Sequence, residues 1–166
     1  ELPLPSGSVT VLVRKPGLAP AWKQFVNVQA DADERFALTP PTTLSGIVVD
    51  EADKPVADAE VSVSLAFAET DLGGGRRTYS YFSGKPARAC FSTRTAPDGR
   101  FRLEGFPTNA AADLAVHLPG KALREPPRQF VSPDTLRCRA GQQDIKLVLE
   151  PAGQIEGRII ADKDGE

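Results

Sequence analysis

The stretch Glu60-Val61-Ser62-Val63-Ser64-Leu65-Ala66-Phe67 decides the fold class. Val61, Val63, Leu65 and Phe67 alternate with Glu60, Ser62 and Ser64, and a period of two puts the apolar set on one face of a half-buried strand. Phe101 and Leu103 alternate with Arg100, Arg102 and Glu104 in the same way, and Ile145, Leu147 and Leu149 repeat the pattern. Between these runs lie turn signals. Pro97-Asp98-Gly99 combines an aspartate that caps a turn with a glycine free to take positive φ, and Asp53-Lys54-Pro55 predicts a second turn. No stretch shows a sustained helical period with caps, so almost no helix is expected. Short alternating strands joined by turns imply an all-β sandwich or barrel.

Composition agrees with that class. The chain has 166 residues, long enough for one domain and a fragment of another, and 40% of it is hydrophobic, which excludes a disordered chain. Fifteen prolines and fourteen glycines favour many turns over long helices. The formal net charge of −2 leaves no electrostatic footprint for nucleic acid. No apolar run approaches the roughly 20 residues of a membrane helix. The absence of methionine and a start at Glu1 imply a processed protein or a piece of a longer one.

A repeat organises the chain. Leu38-Thr39-Pro40 and Leu44-Ser45-Gly46 recur as Leu149-Glu150-Pro151 and Ile155-Glu156-Gly157, each 111 positions later. Gln24-Phe25-Val26 recurs as Gln129-Phe130-Val131, and Pro16-Gly17 as Pro119-Gly120. Val9, Val11 and Val13 fall on Ala112, Leu114 and Val116. An ordered series of this kind predicts three units: residues 1–39 as the last strands of a preceding repeat, 40–150 as a complete sandwich, and 151–166 as the first strand of a following one. The first fragment raises a packing question. Val9, Val11, Val13, Phe36 and Leu38 on one face cannot be buried alone: either those strands pack against the complete unit, or they finish a sandwich with strands from elsewhere.

Leu44-Ser45-Gly46-Ile47-Val48-Val49-Asp50, Lys54-Pro55-Val56-Ala57-Asp58-Ala59-Glu60-Val61 and Thr95-Ala96-Pro97-Asp98-Gly99-Arg100-Phe101 follow one another in an order that resembles the carboxypeptidase regulatory-like domain. The resemblance spans about residues 43–149. It implies a Greek-key, prealbumin-like (transthyretin-like) β-sandwich of about seven strands, and a role as an accessory module beside peptidases, adhesins, receptors or bacterial envelope proteins. It implies no chemistry, no cofactor and an extracytoplasmic setting. Partners would be other domains of the same polypeptide or another protein, with a glycan as the second class, since some relatives of the broader fold bind carbohydrate. Three departures stand out. Asp53 occupies a turn position where the family often has glycine, an insertion of about twenty residues (68–88) precedes the Cys90 strand, and the Gly-x-Tyr that often opens the next strand is missing between Thr108 and Asp113.

The insertion holds the candidate binding residues. Gly73-Gly74-Gly75 forms a hinge, followed by Arg76, Arg77, Tyr79, Tyr81 and Phe82. On a strand, Tyr79 and Tyr81 point to one face. Aromatics beside arginines can stack on sugars or on a partner's side chains; a hairpin whose tyrosines cover the sandwich edge is the plainer reading. Trp22 is expected to pack.

Residues with catalytic potential are sparse. His117 is the one histidine and is expected at a solvent-facing strand position. Cys90 and Cys138 would close a loop of about 49 residues if paired, for which chain entropy predicts roughly 4 kcal/mol; two free thiols, at least one of them buried, is the other reading. A Cys-His nucleophilic pair lacks any local signal for an activated thiolate. Asp50, Glu51, Asp53 and Asp58, with Asp162, Asp164 and Glu166 in the next copy, could offer oxygen ligands to calcium, but they lack ordered ligand spacing, and no metal is expected. The opening strand, residues 44–50, has no lysine for an isopeptide cross-link. These readings imply a non-enzyme.

Overall fold

A computed structural model describes residues 8–26, 33–124, 138–153 and 156. The repeat's restart at Ile155 and the acids beyond it lie outside the described residues, as does Gln129-Phe130-Val131. The chain is an all-β sandwich. Strand β1 (Ser8–Val13) pairs with β2 (Ala21–Val26) as a separate hairpin, and two larger sheets follow. One contains β3 (Pro41–Asp50), β7 (Arg100–Pro107), β9 (Lys121–Leu123) and β11 (Ile145–Pro151) in the order β7-β3-β11-β9. The other contains β4 (Glu60–Gly73), β5 (Arg76–Ser83), β8 (Ala110–His117) and β10 (Cys138–Arg139) in the order β10-β8-β4-β5, with β6 (Ser92–Arg94) also on β4. Strands β3 to β11 number nine among the described residues. The insertion supplies β5, and β10 adds a strand of two described residues, which accounts for the excess over about seven.

The two sheets face each other across one core. Leu44, Val48, Phe101, Leu103, Phe106, Ile145 and Leu149 from the first meet Val61, Val63, Ala66, Phe82 and Ala112 from the second. Gly46 is needed where β3 runs parallel to β11, because a Cβ there would run into the Ile145 carbonyl. The two predicted turns hold this frame by backbone bonds. Thr95 is buried, its Oγ1 accepts from Ala59 N at 2.9 Å, and its own N–H donates to Ala59 O at 2.9 Å. Gly99, at φ 74, accepts from Val48 N at 2.8 Å, and Asp98 Oδ1 accepts from Arg100 N at 3.1 Å. Phe101 then enters the core. Asp53 takes φ 61, the left-handed conformation that makes glycine common there and that aspartate tolerates.

Two expectations are corrected, and one open question is answered. The apolar set of β4 does not stay on one face: the register against β8 shifts between Val63 and Leu65. Val61 and Val63 point inward before the bulge, and Ala66 and Ala68 point inward after it. One extra residue swaps the faces, so Leu65 and Phe67 turn outward. Second, Cys90 lies on no strand. It ends helix α1 (Gly84–Cys90), which interrupts the return strand between β5 and β6. Pro86 sits in the first turn, where its missing N–H is tolerated. Ala87 is fully buried, and Arg88 grips both carboxylate oxygens of Glu60 at 2.6 Å.

Of the two ways left open for the N-terminal strands, packing against the sandwich is the one observed, through a face other than the valine row. Leu12 and Trp22 are register partners on β1 and β2; Leu12 packs against the core cluster and Trp22 belongs to it, while Val9, Val11 and Val13 are only half-buried. Trp22 stacks on Phe82 with ring centroids 5.2 Å apart and meets Phe91 edge-on at 6.3 Å. Its Nε1 donates to Ser80 O at 2.9 Å. The indole thereby satisfies its one polar group while fully inserted.

Candidate functional site

The long strand β4 runs past the sandwich core and returns as β5, so the insertion is a hairpin of one sheet. Tyr79 and Tyr81 stand on its outer face, each 47% exposed. Their register partners on β4 are Glu69 and Phe67. The bulge therefore brings Phe67 beside Tyr81, with centroids 6.5 Å apart, which strict alternation from Val61 does not predict. Phe67 is largely covered there, and the two tyrosines carry the exposed surface. Arg77 Nη1 closes an ion pair with Glu69 Oε1 at 2.9 Å at the end of this row. The face is thus an aromatic strip of Phe67, Tyr79 and Tyr81 bounded by a charge pair. Phe67 and Glu69 were not among the sequence candidates, and no local signal announces the bulge that brings them to this face.

Phe82 leaves the candidate set. On β5 it points opposite to the tyrosines, is 4% exposed and forms the floor under Trp22. Arg76 lies on β5, but its side chain is outside the described residues.

The structure does not bring the two cysteines together; both are free. Cys138 is on β10, at one edge of the five-stranded sheet, and Cys90 is beside β5 and β6 at the other, with β8 and β4 between. Three strand spacings amount to about 14 Å, twice the reach of a disulfide. Burial pushes the Cys138 thiol up to about 11, with the Asp113 carboxylate adding to the effect, so it stays protonated at neutral pH. Cys90 is half-buried and accepts a hydrogen bond from the Arg14 guanidinium. It borders an open cleft of about 370 Å³ with Arg14, Lys15 and Gly105. His117 is exposed at the end of β8, five residues from Ala112, the partner of Cys138, or about 17 Å along the strand.

The acids around the first turn are each taken up separately. Asp50 Oδ1 accepts from Ala52 N and Lys54 N at 2.9 Å, and these backbone bonds, Lys54 first, hold its carboxyl below the usual range. Glu51 pairs with Arg124 at 2.8 Å, Asp53 with Lys146 at 2.7 Å, and Asp58 with Arg94 at 2.9 Å. Among the described residues no group of three or more histidine, cysteine or acidic side chains converges as a metal site would require.

No family model matches the chain, and no curated protein matches it. Among solved structures it is similar to the shaft pilin SpaA of Lactobacillus rhamnosus GG, at 14% identity and a TM-score of 0.41. That match covers 84% of this chain and 61% of the pilin chain, so the chain spans less than two thirds of the length of the protein it matches.

Proposed function

We propose that this chain is a non-catalytic β-sandwich module that serves as a spacer and protein-interaction domain in a larger extracytoplasmic protein. The observation that carries this reading is the seating of Trp22. The hairpin ahead of the sandwich enters the sandwich's own core through one indole, stacked on Phe82 and hydrogen-bonded to Ser80. A joint of that kind fixes one module's strands against the next and suits a chain that holds larger domains apart. The unit boundaries at about residues 40 and 150 belong to the same proposal, as does the carboxypeptidase regulatory-like assignment. Two Pro-Gly turns support the repeat. Leu18 N donates to Lys15 O and Lys121 N to Leu118 O, both at 3.1 Å, around Gly17 at φ 79 and Gly120 at φ 74. The flanking strands differ: β1 pairs with β2, whereas β8 and β9 belong to opposite sheets.

Small-angle X-ray scattering tests the spacer role. The chain should scatter as one rigid particle, and Trp22→Ala should swell it by releasing the hairpin. A wild-type profile that requires two independently moving bodies would end the spacer reading.

The exposure of Tyr79 and Tyr81 on one face favours a second reading, a carbohydrate-binding module in which the two rings stack on a sugar with Arg77 beside them. Glycan-array binding lost in Tyr79→Ala/Tyr81→Ala would support it, and silence across the array would remove it.

A further inference from the structure

We propose that β5 is a strand-pairing edge through which two copies of this chain associate antiparallel, with Tyr79 of one opposite Tyr81 of the other. The proposal does not depend on the spacer role. It starts from which way the backbone of β5 points. Ala110 O accepts from Ala140 N on the β10 side at 3.2 Å, and Glu69 N donates to Asn109 O on the β8 side at 3.1 Å. Direction alternates along a strand, so Ala68 turns its own N–H and C=O toward its β5 partner, Ser80. Ser80 and Phe82 therefore face β4. Arg77, Tyr79 and Tyr81 present their N–H and C=O groups to the open side, and Ser83 its N–H, since the Ser83 carbonyl caps helix α1; no strand pairs with them there among the described residues.

Exposed edges of this kind are normally guarded. The other sandwich edges carry such guards. Strand β7 has Arg100, Arg102 and Glu104 outward, Gly105 at φ 78 and Pro107 at its end. Strands β9 and β6 are only three residues long, and β10 has two among the described residues. Strand β5 runs eight residues with no proline, lysine or bulge after Arg76, and its charged residues, Arg76 and Arg77, are confined to one end. The N-terminal hairpin reaches it from the inner face, where Trp22 meets Phe82, and leaves the tyrosine face open.

The strand is also self-complementary. A two-fold axis at Ser80 places Tyr79 opposite Tyr81 of the second copy, and Arg77 opposite Ser83. All four outward residues then meet outward residues, which allows about six backbone hydrogen bonds across the seam, two in each Tyr79–Tyr81 pair and one in each Arg77–Ser83 pair. No arginine faces an arginine, and the positive Arg77 is already neutralised by Glu69. The four tyrosines line up on one face as cross-strand aromatic pairs, the kind that stabilise antiparallel sheets. The two five-stranded sheets become one continuous sheet, closed by symmetry.

Sedimentation velocity on the whole chain across the micromolar range tests this. Wild type should sediment as a dimer. Tyr81→Pro removes an N–H that faces outward, so the β4 ladder stays intact while the seam is blocked. Tyr79→Lys/Tyr81→Lys keeps every backbone group and places like charges across the seam. Both variants should be monomeric with an unchanged far-UV circular dichroism spectrum, the dimer weakened at least tenfold. A monomeric wild type throughout the range, or a dimer that persists in the lysine pair, would overturn the proposal.

Discussion

Trp22 and Phe82 stack with their ring centroids 5.2 Å apart and their planes inclined by 23°. One comes from the N-terminal hairpin and the other from the inserted strand, so this contact ties together two segments that a minimal sandwich lacks. Trp22→Ala should cost about 3 kcal/mol or more, in the range of large-to-small core changes. Phe82→Ala should cost a similar amount. The double variant should fall short of the sum by about 0.5–1.5 kcal/mol, the worth of an aromatic pair. Urea denaturation of all four proteins measures the cycle.

Thr95 is buried, and its hydroxyl accepts the Ala59 N–H. Thr95→Val keeps the shape but leaves that N–H without an acceptor, at a cost of about 1–3 kcal/mol. Thr95→Ser keeps the oxygen and should cost less. Thermal melting ranks the two.

Gly46 and Gly75 separate two reasons for a glycine. Gly75 has φ 76 and open space where a Cβ would stand, so Gly75→Ala should cost only the left-handed penalty of about 1 kcal/mol. Gly46→Ala drives a methyl into the Ile145 backbone and must part β3 from β11. The second variant should be the less stable by a clear margin in chemical denaturation.

The two thiols should behave differently. Cys90, half-buried beside an open cleft, should react with a maleimide in the native protein, and Cys138 should wait for unfolding. Cys138 also predicts a pH effect. Its folded pKa of about 11 lies above the ordinary 9.0, so between those values the unfolded chain releases a proton that the folded chain retains. Stability should fall as pH rises through that window, and Cys138→Ala should lessen the fall.

Local features were the ones legible in the sequence. The Pro97–Gly99 turn and the Asp53 turn are set by residues within a few positions, and both form where the turn residues place them, although the first joins strands of opposite sheets rather than closing a hairpin. Phe101 and Leu103 alternate inward as their spacing requires. Strand β4 was legible only as far as Val63, because the bulge beyond it is fixed by pairing with β8, some fifty residues away in the chain. Helix α1 is too short to show a period, and Ala87 is its one buried residue. Tyr79 and Tyr81 fall on one face, as a two-residue spacing requires. Phe67 joins them and Phe82 leaves them for tertiary reasons that no window of sequence contains.

Trp22 is the chain's one tryptophan, so its fluorescence reports the joint between hairpin and sandwich without a label. The most direct test of the account follows Trp22 emission and acrylamide quenching alongside circular dichroism through a urea titration. A seated indole predicts blue-shifted emission and weak quenching in the native protein, both lost in the same transition that melts the sheets. Emission typical of water-exposed tryptophan while the sheets remain folded, or an earlier separate transition, would contradict the claim that hairpin and sandwich form one body.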